Sequence, residues 1–203
     1  MVAILDNDVP VCAGAFINKN YVVTAATCVR EKNHLTVSTE SAEQQEANKK
    51  TDVLGVALHP YYRAPNIDYN VAILKVKPID NYGEVSKLSK KEPAAGETLR
   101  TTSWETNERK EFKAEESVAV ARQTCKTDLA KNITITGKLM CIDTKNSKLP
   151  YINGSPVVAK DTTDLFGISV FGNVKNLQNS LTVYLNTANP EIFSFIDMFT
   201  EVQ

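Results

Sequence analysis

The sequence predicts an all-β protein with a single helix at its carboxyl end. Two observations carry this prediction: short segments rich in β-branched and aromatic residues recur along the chain, and turn signals separate them. Strands of this length and spacing are typical of a sandwich or a barrel. The predicted strands are residues 15–17, 21–25, 35–38, 53–58, 71–76, 117–121, 133–135, 156–159, 166–171 and 181–185.

The helix prediction rests on the end of the chain. Asn189 is a residue type that caps helix starts, and Pro190 suits the first helical position. Apolar residues then recur at helical spacing, which predicts a helix over 189–203 that docks on the β structure. These apolar residues are Ile192, Phe193, Ile196, Phe199 and Val202.

The chain divides into two halves of similar size. Pro93 and Gly96 interrupt the β pattern, which predicts a linker over residues 90–96. We therefore expect one domain built from two β units. The predicted ranges are 1–92 for the first unit and 97–188 for the second, within a single domain of residues 1–203.

Composition argues against several classes of function. The chain has 203 residues, with 23 Lys plus Arg against 24 Asp plus Glu, so its net charge is −1. Nucleic acids and other polyanions bind to basic surfaces, and we expect neither as a partner. No apolar run approaches the roughly 18 residues of a membrane-spanning helix, so no membrane association is expected. The opening residues lack the features of a signal peptide, and we expect that any export signal has been removed.

Four cysteines form two equally spaced pairs, one in each half. An even count divided in this way favours two local disulfides in an oxidising compartment, with reduced core thiols as the alternative. Glycosylation sequons at Asn132 and Asn153 agree with export, although each triplet alone is weak evidence. No motif indicates a metal site or a cofactor. The pairs are Cys12 with Cys28 and Cys125 with Cys141.

Several motifs resemble those of trypsin-like serine proteases, in the same order along nearly the whole chain. Cys12-Ala-Gly-Ala-Phe-Ile and Tyr21-Val-Val-Thr-Ala-Ala-Thr-Cys28 are similar to the family's Cys-Gly-Gly-Ser-Leu-Ile and Trp-Val-Val-Ser-Ala-Ala-His-Cys. Tyr151-Ile-Asn-Gly-Ser-Pro-Val-Val is similar to Gly-Asp-Ser-Gly-Gly-Pro-Val-Val. The resemblance implies two antiparallel six-stranded β-barrels, followed by the carboxyl-terminal helix.

The same comparison places other residues at all three positions of the catalytic triad. Such an enzyme needs an imidazole base, a carboxylate that orients it and a serine nucleophile. The resemblance assigns these positions to Thr27, Asn70 and Asn153. Asp68 lies two residues before Asn70, and His59 matches a surface histidine of the family, so neither is expected to supply the missing group. We therefore expect that the chain is not an enzyme.

The changed residues extend to the family's oxyanion hole and primary specificity pocket. The chain has only 8 glycines, about half the usual share. By the resemblance, Tyr151 replaces a glycine of the oxyanion hole, and its ring is expected to fill the cleft. Ile152 replaces the aspartate that pairs with a freed amino terminus. Thr182 replaces a glycine in the pocket wall, unless the comparison is shifted there by one residue.

These features predict a secreted pseudoprotease that binds a protein partner through surface loops. Two polar stretches, 40–51 and 107–116, are the candidate loops. Replacement of the whole triad is similar to the scabies mite inactivated protease paralogues, which implies secretion and inhibition of host complement. Two alternatives stay open: a cofactor in an arthropod immune cascade, or an enzyme of unrelated chemistry that uses Ser155, Tyr151 or His59. The sequence does not predict the oligomeric state.

Overall fold

The structure of the protein is a computed structural model. It describes residues 1–39, 49–79, 82–104, 112–131, 133–149, 151–175 and 180–200. Asn132 and residues 40–48 and 107–111 of the two candidate loops lie outside these ranges. Residues 112–116 belong to a β-strand that pairs with its neighbour, so the loop prediction is wrong for them. Within the ranges, no helix is long and apolar enough to cross a membrane.

Six strands of the first half form a closed antiparallel barrel. They are β1 (Val2–Asp6), β2 (Val9–Asn18), β3 (Tyr21–Thr24), β4 (Leu35–Ser38), β5 (Lys50–Leu58) and β6 (Ala72–Val76). Around the barrel they follow the order β1, β2, β3, β6, β5, β4. Alternate side chains of each strand point into the barrel, and apolar residues such as Ile4, Val22 and Ile73 are fully buried there.

The second half forms another barrel. Its strands are β8 (Thr98–Trp104), β9 (Phe112–Val120), β10 (Leu139–Asp143), β11 (Pro156–Ala159), β12 (Asp164–Lys175) and β13 (Ser180–Asn186), preceded by a short β7 (Lys87–Leu88). Pairing of β11 with β12 closes the six longer strands, and β7 adds to β12 in parallel. The prediction of two six-stranded antiparallel barrels is confirmed. Because β7 precedes the predicted linker and joins the second sheet, it also ties the two halves together.

Three helices are present in the described part of the chain: α1 (Ala26–Val29), α2 (Arg122–Leu129) and α3 (Pro190–Asp197). α3 begins as predicted, because the side chain of Asn189 accepts a hydrogen bond from the backbone N–H of Glu191 at 3.2 Å. It ends at Asp197 and does not run to the end of the chain. Its buried face carries Ile192, Phe195 and Ile196, so Phe195 takes the place predicted for Phe193.

Some elements differ from the prediction. α2 is not predicted, because only Cys125 and Leu129 among its residues are buried and its apolar pattern is weak. β1, β7, β8 and β10 are also missing from the predicted set. β8 is rich in threonine and is a strand because β9 and β11 pair with it on both sides. The strand predicted at 133–135 is wrong. The N–H of Ile133 instead donates to the carbonyl of Leu129 at the end of α2.

Both predicted disulfides are present, each with Cα atoms 5.9 Å apart. Cys12–Cys28 joins β2 to α1, and Cys125–Cys141 joins α2 to β10. Each bond therefore attaches a short helix to its barrel.

Candidate functional site

The ring of Tyr151 lies against the second barrel. It packs so closely on Gly172 of β12 that a Cβ atom on Gly172 would overlap the ring. The Tyr151 hydroxyl donates a hydrogen bond to the side-chain oxygen of Asn153. The phenol therefore spans from the backbone of β12 to the side chain that the resemblance assigns to the nucleophile position.

Tyr151 and Tyr184 stay neutral at physiological pH. Burial raises the pKa of Tyr151, and proximity to Tyr184 raises it further. Burial also raises the pKa of Tyr184, a buried residue of β13. A phenol with a raised pKa keeps its proton, so the hydroxyl of Tyr151 remains a hydrogen-bond donor toward Asn153.

Thr27 and Asn70, assigned to the other two triad positions, contact each other. The N–H of Thr27 donates to Oδ1 of Asn70 at 2.9 Å, and Nδ2 of Asn70 lies 3.4 Å from Oγ1 of Thr27. Asn70 is fully buried, whereas Thr27 is exposed. An amide and a hydroxyl in this arrangement hold the loop together, but neither group accepts a proton near neutral pH.

Backbone hydrogen bonds fix the segment that carries Asn153. The carbonyl of Asn153 accepts from the N–H of Ala13 at 2.8 Å, and the N–H of Gly154 donates to the carbonyl of Ser169 at 2.8 Å. Gly154 has φ of +80°, and a Cβ atom there would overlap the Ala13 carbonyl oxygen. Ala13 precedes Gly14 in β2 and follows Cys12, whose disulfide partner follows Thr27. The three assigned positions therefore belong to one connected network.

Ile152 packs into an apolar cluster. Its side chain lies against the buried residues Ala3, Leu5 and Ala13, together with Phe112. Its carbonyl oxygen accepts hydrogen bonds from Oγ of Ser169 at 2.5 Å and from the N–H of Ser155 at 3.2 Å. A side chain in this cluster offers no charge to an ammonium group.

Thr182 is buried in β13, where its Cα pairs with that of Ile142. Its hydroxyl lies 3.3 Å from the hydroxyl of Thr144. The nearby segment around Ser147 is held by Glu115, which accepts from Oγ of Ser147 at 2.5 Å and from the N–H of Lys148 at 3.1 Å. The sequence does not indicate these contacts of Glu115 and Thr144, because each joins residues far apart along the chain.

The side chains of Ser155 and Asp68 make no hydrogen bond to a base within the described ranges. Oγ of Ser155 is buried and has no hydrogen-bond partner among the described residues. Asp68 accepts a hydrogen bond from the hydroxyl of Thr136 at 2.8 Å. In the part of the chain that the structure describes, it makes no hydrogen bond with Thr27. Within the described ranges, no three His, Cys, Asp or Glu residues are arranged to hold a metal ion.

His59 is buried, so the expectation of a surface histidine is wrong. Its ring stacks on Tyr69 at 4.6 Å between centroids and lies 4.8 Å from Phe195 of α3. Nδ1 accepts from the N–H of Tyr61 at 3.2 Å. Burial lowers the pKa of His59, and the carbonyl and carboxylate of Glu191 oppose that change only in part. The ring serves as a neutral packing group between the first barrel and α3.

Comparisons with known proteins agree on the fold. The family profile described as Trypsin matches residues 1–193. A relative from Bos taurus, named "Probable inactive serine protease 58", is 23% identical over 144 residues, which are 68% of this chain and 55% of the relative. "Granzyme-like protein 1" from Rattus norvegicus is 31% identical over 68 residues, or 33% of this chain and 27% of that protein. The chain thus spans about half, or less, of the length of these curated relatives.

Two solved structures share the architecture. Scabies mite inactivated protease paralogue S-I1 superimposes with a TM-score of 0.82 at 18% identity, over 100% of this chain and 95% of that one. Kallikrein-related peptidase 10 gives a TM-score of 0.79 at 18% identity, also over 100% of this chain and 95% of its own. At such identities the likeness shows the fold alone.

Proposed function

Because the chain belongs to the trypsin family, we propose that it is a catalytically inactive member that works by binding another protein. The observation that carries the proposal is the Tyr151 ring, which packs on Gly172 and donates its hydroxyl hydrogen to Asn153. A peptide substrate needs this space for its own side chain and for the carbonyl that is attacked. The ring therefore excludes substrate from the reacting position.

The chemistry of the three assigned positions supports the same proposal. Acyl transfer requires a nucleophile whose proton is taken by a nearby base. The side chain of Asn153 is an amide and lacks an ionisable hydroxyl or thiol. Thr27 and Asn70 bond to each other and offer no group that titrates near neutral pH. Occlusion and the loss of reactive groups are thus independent reasons for inactivity.

We extend the proposal to secretion and to inhibition of host complement. The two disulfides support an oxidising, extracellular location. The complement role rests on the sequence resemblance to the mite paralogues at the triad positions. A cofactor role in an arthropod immune cascade is the second candidate, and it would use the same closed cleft with a different protein partner.

An enzyme of unrelated chemistry is disfavoured by the packing of its candidate residues. Ser155 is enclosed without a hydrogen-bonded base among the described residues. His59 is packed between Tyr69 and Phe195, with Nδ1 already bonded to a backbone N–H. The phenol of Tyr151 keeps its proton because burial raises its pKa.

Complement-mediated lysis of antibody-coated erythrocytes in human serum tests the proposal. We expect the wild-type protein to reduce lysis as its concentration rises. Tyr151→Gly should inhibit within about twofold of the wild type, because the ring closes the cleft and does not face the partner. Among charge reversals across 40–51 and 107–116, at least one should weaken inhibition by about 1 kcal/mol or more.

Two results would argue against different parts of the proposal. No effect of the wild-type protein on lysis would remove the complement role. Loss of inhibition in Tyr151→Gly, with every loop variant unaffected, would show that the partner enters the former cleft. Lys126→Glu, an exposed change in α2 outside both stretches, serves as the control for altered surface charge.

A further inference from the structure

A polar groove of about 780 Å³ lies on the first barrel. One wall is the turn between β1 and β2, the floor is the start of β4, and the other wall is the start of β5. It shares no residue with the site around Tyr151, and its volume falls within the range of about 300–1,000 Å³ that ligand sites occupy. Its principal lining residues are Asn7, Asp8, His34, Thr36, Lys50 and Asp52.

The floor of the groove contains a hydroxyl that the rest of the described chain does not satisfy. Oγ1 of Thr36 is buried and has no hydrogen-bond partner in the described ranges. Its backbone is held between Leu5 of β1 and Asp52 of β5. Buried polar atoms in native proteins normally have a partner. Because χ1 of threonine has alternative staggered positions, the hydroxyl can turn to meet a polar group of an occupant.

The groove carries two ion pairs of different exposure. Lys50 pairs with Asp8 across the groove, and Lys77 pairs with Asp52 at 3.0 Å. The side chains of Asp8, Asp52 and Lys77 are 68%, 65% and 61% exposed, whereas that of Lys50 is 23% exposed. Water screens the pair of Asp52 and Lys77, which therefore contributes little to stability. An occupant with its own charges can replace this pair at small cost and can contact the exposed carboxylate of Asp8.

The turn that forms the first wall is rigid. Asn7 and Asp8 have φ of +49° and +66°, as a two-residue hairpin turn of type I′ requires. The N–H of Asn7 donates to the carbonyl of His34 at 3.1 Å, and Lys32 pairs with Asp6 at 2.7 Å. A wall that is fixed in advance loses little freedom when it binds.

The charge pattern indicates what the groove can hold. Its two lysines and two aspartates sum to zero, which disfavours a polyanion such as nucleic acid and equally a polycation. A segment with both an acidic and a basic side chain matches the two walls, and its backbone can reach the Thr36 hydroxyl. We infer that this groove binds an extended segment of the partner protein that carries charges of both signs. The inference rests on the proposed function as a binding module.

A library of random twelve-residue peptides displayed on phage, selected on the whole wild-type protein, tests the groove without knowledge of the partner. We expect the selected peptides to carry at least one acidic and one basic residue. The double variant Asp52→Lys with Lys77→Asp keeps an ion pair but reverses the polarity, and it should bind these peptides at least tenfold more weakly. Thr36→Val keeps the shape of the side chain and should weaken the binding of these peptides about fivefold, because a hydrogen bond is lost.

The control is an exposed charge change away from the groove and from both candidate loops. Lys126→Glu, in α2, should leave peptide binding within twofold of the wild type. Failure to select any peptide would overturn the proposal that the groove binds an extended segment. Equal peptide binding by the Asp52 and Lys77 double variant would overturn it as well. So would self-association in sedimentation, lost in that variant, without peptide binding, because it would assign the groove to a second copy of the chain. The serum assay can fail while peptide binding holds, so the two proposals are tested separately.

Discussion

Replacing Gly172 by alanine should damage the protein only while the Tyr151 ring is present. A Cβ atom on Gly172 would overlap three carbon atoms of that ring, so the ring must leave its position. Overpacking of this kind costs about 1–3 kcal/mol. Displacing the hydroxyl from Asn153 adds about 1 kcal/mol for the lost hydrogen bond. We expect Gly172→Ala to lower the free energy of unfolding by about 2–4 kcal/mol.

In a Tyr151→Gly background the same alanine should be nearly neutral. The three atoms nearest to the added Cβ all belong to the ring, and Gly172 does not have the positive φ that alanine resists. The two changes should therefore be coupled by about 2 kcal/mol or more. For a chain of this size that coupling corresponds to roughly 4–8 °C in the midpoint of thermal unfolding.

Urea unfolding of the oxidised protein, followed by circular dichroism, measures the four free energies of this cycle. Gly55→Ala is the matched control, because Gly55 also lies in a strand and an added Cβ there meets no atom within 4 Å. Its effect should be small and equal in both backgrounds. Additivity of the Gly172 and Tyr151 changes within about 0.5 kcal/mol would refute the placement of the ring.

Three further predictions concern the disulfides, the assigned triad and pH. Removing either disulfide should cost about 3 kcal/mol, as expected for loops of this length, and denaturant unfolding of Cys-to-Ser pairs measures it. Thr27→His, Asn70→Asp and Asn153→Ser together should not restore hydrolysis of chromogenic esters, because the Tyr151 ring remains; turnover like that of trypsin would contradict this. Because burial lowers the pKa of His59 below its ordinary 6.5, the folded protein resists its protonation. Stability should therefore fall as the pH drops below about 6.5, the ordinary pKa of histidine, and that part of the fall should be absent in His59→Gln; equal pH profiles would contradict it.

The sequence predicts the parts of the fold that local chemistry determines. Alternating β-branched residues indicate strands, and the cap at Asn189 with Pro190 indicates the start of α3. β8 and α2 are harder to predict from the sequence, because contacts with neighbouring elements stabilise them. β8 pairs with strands on both sides, and α2 is joined to β10 by a disulfide. Ile135 is apolar because it is buried, and no strand in the described part of the chain pairs with residues 133–135.

The candidate site shows the same limit. The change at Tyr151 is visible in the sequence, but its ring packs on Gly172, and a contact between segments far apart in the chain leaves no local signal. The resemblance predicts His59 at the surface because its motif matches a surface histidine of the family. Its burial depends on Tyr69 and on Phe195, which only the folded chain brings together.

Reaction with a fluorophosphonate tests the central claim, inactivity of a trypsin-family protein, most directly. The reagent attaches to serines activated by a base, and intact mass spectrometry counts the attached groups. With trypsin as the positive control, we predict that the mass of this protein stays unchanged after prolonged incubation near neutral pH. Stoichiometric addition of one group, mapped to a single serine such as Ser155, would contradict the account.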